Sequence, residues 1–128
     1  MAKEIQTEVG YLLQLGPNIA KEVYLVPEVK DIDMVKGHVQ KGQEIFGAGG
    51  YCLSDIRKLK SISREVREYL KGHSTVIAAA ILVNSGLSMM VGNLFIDISR
   101  PPYLARVFRK ESAALKWLEE QGGILYSE

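Results

Sequence analysis

A chain of 128 residues with 47% apolar and 24% charged side chains has the make-up of an ordinary folded protein, which excludes disorder, collagen-like repeats and a coiled coil. Sixteen Lys and Arg against fifteen Asp and Glu leave a formal charge of +1, so no global field directs the molecule to nucleic acid or an anionic membrane. Cys52 is the single cysteine, which excludes an internal disulfide and a multi-cysteine zinc site and suits a reducing, cytoplasmic setting. The length fits one domain spanning residues 1–128, able to bury a core without disulfides or metal. The polar start at residues 1–6 does not resemble a signal peptide. The longest apolar run, residues 76–83, is far short of the roughly 20 residues needed to span a bilayer.

Residues 8–15 alternate apolar and smaller or polar side chains, the period of a strand with one face better covered than the other. Gly16-Pro17-Asn18 supplies turn chemistry before a β-rich stretch at 20–26, so a hairpin is expected. Asp31 or Asp33 can cap a helix whose apolar positions Ile32, Val35, Val39, Ile45 and Phe46 lie mostly along one stripe, with Lys36, Gln40, Lys41 and Gln43 outward. Gly47-Ala48-Gly49-Gly50 stops it. A strand beginning at Tyr51 runs into the polar loop around Asp55, and Ser63 can cap a second helix with Ile62, Val66, Tyr69 and Leu70 inward and Arg64, Glu65, Arg67 and Glu68 outward.

The continuous apolar run 76–83 reads as a central strand covered on both faces. Asn84-Ser85-Gly86 turns into a third helix over 87–98, with Ser85 as its cap and Leu87, Val91, Leu94 and Ile98 as its stripe. Pro101-Pro102 breaks that helix. A strand at 104–108 follows, and a last helix over about 110–120 turns Ala113, Ala114, Trp117 and Leu118 inward before Gly122-Gly123. The order β-β-α-β-α-β-α-β-α predicts an α/β fold with a mostly parallel sheet, right-handed crossovers and one antiparallel hairpin.

Asp55, Arg57, Ser61, Ser63 and Arg64 follow one strand, and Asn84, Ser85 and Ser88 follow the next. Parallel strands would bring both groups to one sheet edge, beside two helix amino termini suited to an anion or a carboxylate. The plainer role is capping by Ser63 and Ser85 and satisfaction of loop amides by Asp55. No G-x-G-x-x-G or Gly-Lys-Ser/Thr phosphate loop and no G-x-S-x-G elbow occurs. His38 and His73 have no second ligand at metal spacing and are expected to face solvent, and neither a metal nor a cofactor is expected. Met89, Met90, Leu94 and Phe95 widen the third helix's apolar surface, which suits either a homodimer contact or an apolar ligand groove, or simple packing on the sheet.

The element order, together with Asp55-Ile56-Arg57, Ser61-Ile62-Ser63-Arg64-Glu65-Val66-Arg67, Val91-Gly92-Asn93-Leu94-Phe95 and Ala113-Ala114-Leu115-Lys116-Trp117-Leu118, resembles STAS domains of the SpoIIAA-like class, the fold of bacterial anti-sigma-factor antagonists and of sulfate-transporter cytosolic domains. The closest likeness is to small, uncharacterised bacterial STAS-like proteins. The resemblance implies a SpoIIAA-like fold and a non-enzymatic regulatory or protein-interaction role. It also implies a phosphorylatable serine at the start of the second helix, where Ser61 or Ser63 stands. Lys60 and Arg64 depart from the acidic residue and the glycine of that family's local pattern. A phosphate at Ser63 would meet Arg57, Lys58, Lys60 and Arg64. A more distant likeness to CRAL-TRIO lipid-exchange domains implies an apolar ligand. The leading expectation is therefore a homodimeric binding module using the loop and helix after Asp55, followed by an apolar-ligand domain using the third helix, and last a hydrolase using Ser61 or Ser63.

Overall fold

The computed structural model describes residues 4–47, 49–84 and 86–127, apart from the side chains of Ile45 and Phe46. In chain order the elements are β1 (Glu4–Gln6), β2 (Gly10–Gln14), β3 (Ile19–Tyr24), β4 (Glu28–Val29), α1 (Ile32–Phe46), β5 (Tyr51–Asp55) and β6 (Ser61–Ile62). They continue as α2 (Arg64–His73), β7 (Ala78–Leu82), α3 (Leu87–Leu94), a π-helical turn (Phe95–Ser99), β8 (Leu104–Phe108) and α4 (Glu111–Gln121). The expected hairpin forms between β2 and β3, while β5, β7 and β8 extend the sheet in parallel, in the order β1-β2-β3-β5-β7-β8. The mixed, mostly parallel sheet with four helices is thus the architecture expected.

Three short strands were not anticipated. β1 pairs antiparallel with β2 as an edge strand, and β4 pairs in parallel with β6 as a separate two-stranded ribbon. None is long enough to display a period.

Side chains along each strand alternate between two cores. Ile19, Leu53, Ala78, Ala80 and Leu82 pack with Ala114 and Leu118 of α4 on one face. Tyr24, Ile56, Ile81 and Val83 pack with Val35, Val66 and Val91 of α1, α2 and α3 on the other. Asp31 caps α1 by accepting from the Met34 amide at 3.2 Å, and Ser63 caps α2 by accepting from the Val66 amide at 3.2 Å. Each cap contributes about 1 kcal/mol.

The third helix departs from expectation. Its inward residues are Ser88, Val91, Gly92, Phe95 and Ser99, whereas Leu87 and Leu94 are exposed and Ile98 is 67% exposed. The cause is Gly92: a Cβ there would lie 3.3 Å from Val107 and 3.4 Å from Ile81 and Val83. The helix therefore approaches β7 and β8 along its glycine, which fixes the contact face. The π turn then winds wider than an α turn and shifts the phase, carrying Ile98 outward. Arg100, at φ +48°, ends the turn in left-handed geometry.

Two further positions differ. Ala113 is exposed, because the face of α4 is centred on Ala114 and Leu118, with Leu115 and Trp117 flanking it. Arg67, expected outward, is buried, and its guanidinium donates to the Ile62 carbonyl at 3.0 Å and to Ser99 Oγ at 3.3 Å. A long stem with a fixed donor fork can reach such acceptors where a short polar side chain cannot.

Candidate functional site

At the carboxyl end of β5, Asp55 is buried and grips Arg57: Nε donates to Oδ1 at 2.9 Å, Nη2 to Oδ2 at 2.7 Å, and the Arg57 amide to Oδ1 at 3.1 Å. Burial alone would raise the carboxyl's pKa. The hydrogen bonds and charge of Arg57, aided by Lys21, outweigh burial and hold it below the usual range. Asp55 raises the Arg57 pKa in turn. A shallow depression gathers Asp55, Arg57 and Asn84 with Tyr11 and Lys21, consistent with the parallel register of Asp55 against Leu82. Asn84 engages Ser88, whose Oγ donates to Asn84 Oδ1 at 2.7 Å and accepts from the Asn84 amide at 3.1 Å. Ser61, Ser63 and Arg64 do not line this depression. Ser61 is exposed in β6, Ser63 is occupied as a helix cap, and Arg64 is exposed. Ser85 lies outside the described residues.

The apolar candidates on α3 separate. Met89 packs against the core and Phe95 is buried, while Met90 is 66% exposed and Leu94 also faces outward.

Beneath α1, α2 and α3 lies a more concave site that the motifs did not reveal. Its cause is a row of small side chains crossing the sheet in register. Ala20 of β3 sits opposite Cys52 of β5, and Cys52 opposite Ala79 of β7. With no large side chain from that row and none from Gly42, a cavity of about 150 Å³ remains. Leu59, Ile62, Leu70, Ile81, Val91 and Phe95 form much of its apolar wall.

The next row of the same face brings Glu22 opposite Ser54, and this is the cavity's polar end. His38 Nε2 lies 2.7 Å from Glu22 Oε1, and His38 Nδ1 lies 2.8 Å from Thr7 Oγ1. His38 was expected in solvent but is only 2% exposed. A buried imidazole is tolerated because both ring nitrogens have partners. The spacing of Val35, His38, Val39 and Gly42 on one helical face was the available signal for its burial.

Burial would raise the Glu22 pKa, but the hydrogen bond and charge of His38, with smaller contributions from the neighbouring Ser54 hydroxyl and Cys52 thiol, lower it instead. Burial, then the Glu22 charge, pushes the Cys52 thiol well up, so Cys52 is held as a thiol rather than the nucleophilic thiolate. Burial and the Glu22 charge likewise raise the phenols of Tyr24 and Tyr103. The site is therefore an ionised carboxylate paired with His38, without an activated nucleophile at Cys52.

Gln43, Gly47 and Thr75 are exposed lining residues and mark the mouth. Gln43 Nε2 donates to the His73 carbonyl, Thr75 Oγ1 to the Gly47 carbonyl at 3.3 Å, and the Gly49 amide to the Thr75 carbonyl at 2.9 Å. These bonds tie the end of α1 to the segment after α2. Among the described residues no group of three or more His, Cys, Asp or Glu could hold a metal ion, and no helix is long and apolar enough to cross a membrane.

Residues 15–121 match a family model described as Domain of unknown function (DUF7793). The structure is also similar to the crystal structure of an uncharacterized protein from the DUF3478 family, with a SpoIIAA-like fold, from Shewanella loihica PV-4. That similarity covers 92% of each chain at 16% identity, with a TM-score of 0.54. The likeness establishes a SpoIIAA-like fold. No curated protein matches the sequence.

Proposed function

The chain belongs to the family described as domain of unknown function DUF7793, and for this SpoIIAA-like member we propose a non-enzymatic binding module that takes a small, largely apolar molecule between the sheet and α1–α3. The observation that carries this reading is the cavity of about 150 Å³ with apolar walls and one polar end. Small-molecule sites share that make-up, and an apolar cavity of this size accepts a molecule about as large as benzene. The raised Cys52 thiol supports a binding role over thiol catalysis. Toluene is a suitable probe. It should raise the melting temperature and shift the methyl resonances of Leu59, Ile81 and Val91, and Ala79→Phe, which fills the cavity, should abolish both effects. A folded wild-type protein unmoved by saturating toluene rules the reading out.

A second reading, a protein-interaction module, is favoured by a separate feature: Leu87, Met90, Leu94 and Ile98 form an exposed apolar stripe along α3 and the π turn. Such stripes mark contact surfaces. On this reading, light scattering should show an oligomer that Met90→Asp dissociates. A wild type that stays monomeric at high concentration counts against self-association.

A further inference from the structure

The polar end of the cavity is asymmetric in its hydrogen-bonding chemistry. Glu22 accepts at Oε1 from His38 Nε2 at 2.7 Å. Ser54 sits opposite Glu22 across β3 and β5, and Tyr24 lines the same cavity. An ionised carboxylate carries about four acceptor sites, and a hydroxyl that donates once keeps lone pairs. What the Glu22 carboxylate offers an incoming molecule is acceptor capacity. Glu22 keeps 20% side-chain exposure, and it lines the cavity. No Lys or Arg occurs among the described lining residues. A bound carboxylate would therefore sit against Glu22 with only His38 as a countercharge. Like charges brought together in a desolvated site cost far more than in water.

Resting on the proposed binding role of this cavity, we infer that it selects an apolar molecule of benzene-like size whose single polar group donates hydrogen bonds, such as a primary amine or an alcohol, and rejects the corresponding carboxylate. The body of the ligand lies against Ile81, Val91 and Phe95, and its head reaches Glu22 and Ser54. Carboxylates of the same size are excluded by this chemistry, although the apolar walls alone would accept their bodies. Discrimination comes from the head group, because a site built to receive a donor penalises an analogue that lacks one.

Four probes of nearly equal size test this: toluene, benzyl alcohol, benzylamine and benzoate, with affinities measured by titration of methyl resonances in the intact protein. In wild type, benzyl alcohol and benzylamine should bind at least about tenfold more tightly than toluene, and benzoate more weakly than toluene, a tenfold step being about 1.4 kcal/mol. Glu22→Gln should shrink the benzylamine-to-benzoate ratio by at least about tenfold while leaving toluene binding within about twofold. The probe series in wild type stands by itself should that variant fail to fold. Toluene binding with benzoate equal to or tighter than benzylamine overturns the head-group inference and leaves the binding role intact. Failure of all four probes to bind overturns both.

Discussion

His38 on α1 and Glu22 on β3 meet at 2.7 Å beneath the helix layer, so the hydrogen bond that completes the cavity's polar end also fastens its roof to its floor. Removing one partner strands the other in a buried setting, at a cost of about 1–3 kcal/mol. His38→Leu and Glu22→Leu should each lower stability to urea by that order. The double variant should cost clearly less than the sum, because no orphaned group is left. Additive losses in the cycle mean that the two side chains do not act as a pair.

The same carboxylate and its neighbours set a stability window. The pKa values of Glu22 and Asp55 are lowered from ordinary values of 4.5 and 3.8. Below about pH 4.5 the unfolded chain therefore binds more protons than the native one, and stability falls as pH drops through the folded values. Cys52 and Tyr24 are raised from 9.0 and 10.0. The unfolded chain loses those protons first, so stability declines again as pH rises above about 9. Urea midpoints across the pH range should show a plateau between these limbs. Glu22→Gln should flatten the acid limb, and an unchanged acid limb removes Glu22 as its source.

Arg67 joins α2 to the π turn through Ser99 Oγ at 3.3 Å and to β6 through the Ile62 carbonyl at 3.0 Å. Arg67→Ala removes both bonds and the packing of the buried stem, and a loss of about 2–4 kcal/mol is expected. Lysine cannot serve both acceptors with a planar fork, so Arg67→Lys should recover less than half of that loss. Full recovery by lysine, read from urea midpoints, would show that charge rather than geometry matters at this position.

Much of this fold was legible because its elements obey one period each. The strand Leu104–Phe108 appears at the expected residues, and the helix caps at Asp31 and Ser63 are where short acceptors precede an apolar helical stripe. β1 was not legible because Glu4-Ile5-Gln6 contains one apolar residue. The face of α3 was misread because its contact centre is Gly92, which no count of hydrophobic residues favours. The cavity is a property of register. Ala20, Cys52 and Ala79 are unremarkable in their own strands and make a hollow only when aligned across three of them. Glu22 beside Lys21 reads as an exposed strand edge until His38 arrives from another element.

Ser63 separates a structural role from a regulatory one. Its Oγ accepts from the Val66 amide at 3.2 Å, so Ser63→Ala should cost about 1 kcal/mol of stability. Aspartate is as good a cap as serine, and its charge suits a helix amino terminus. Ser63→Asp should therefore remain within about 0.5 kcal/mol of wild type. Because aspartate preserves the cap while adding charge, a change in partner capture or probe binding produced by Ser63→Asp but not by Ser63→Ala cannot be ascribed to helix fraying. If Ser63→Asp is instead as unstable as Ser63→Ala, the hydroxyl matters for more than capping, and aspartate is unsuitable as a charge mimic at this position.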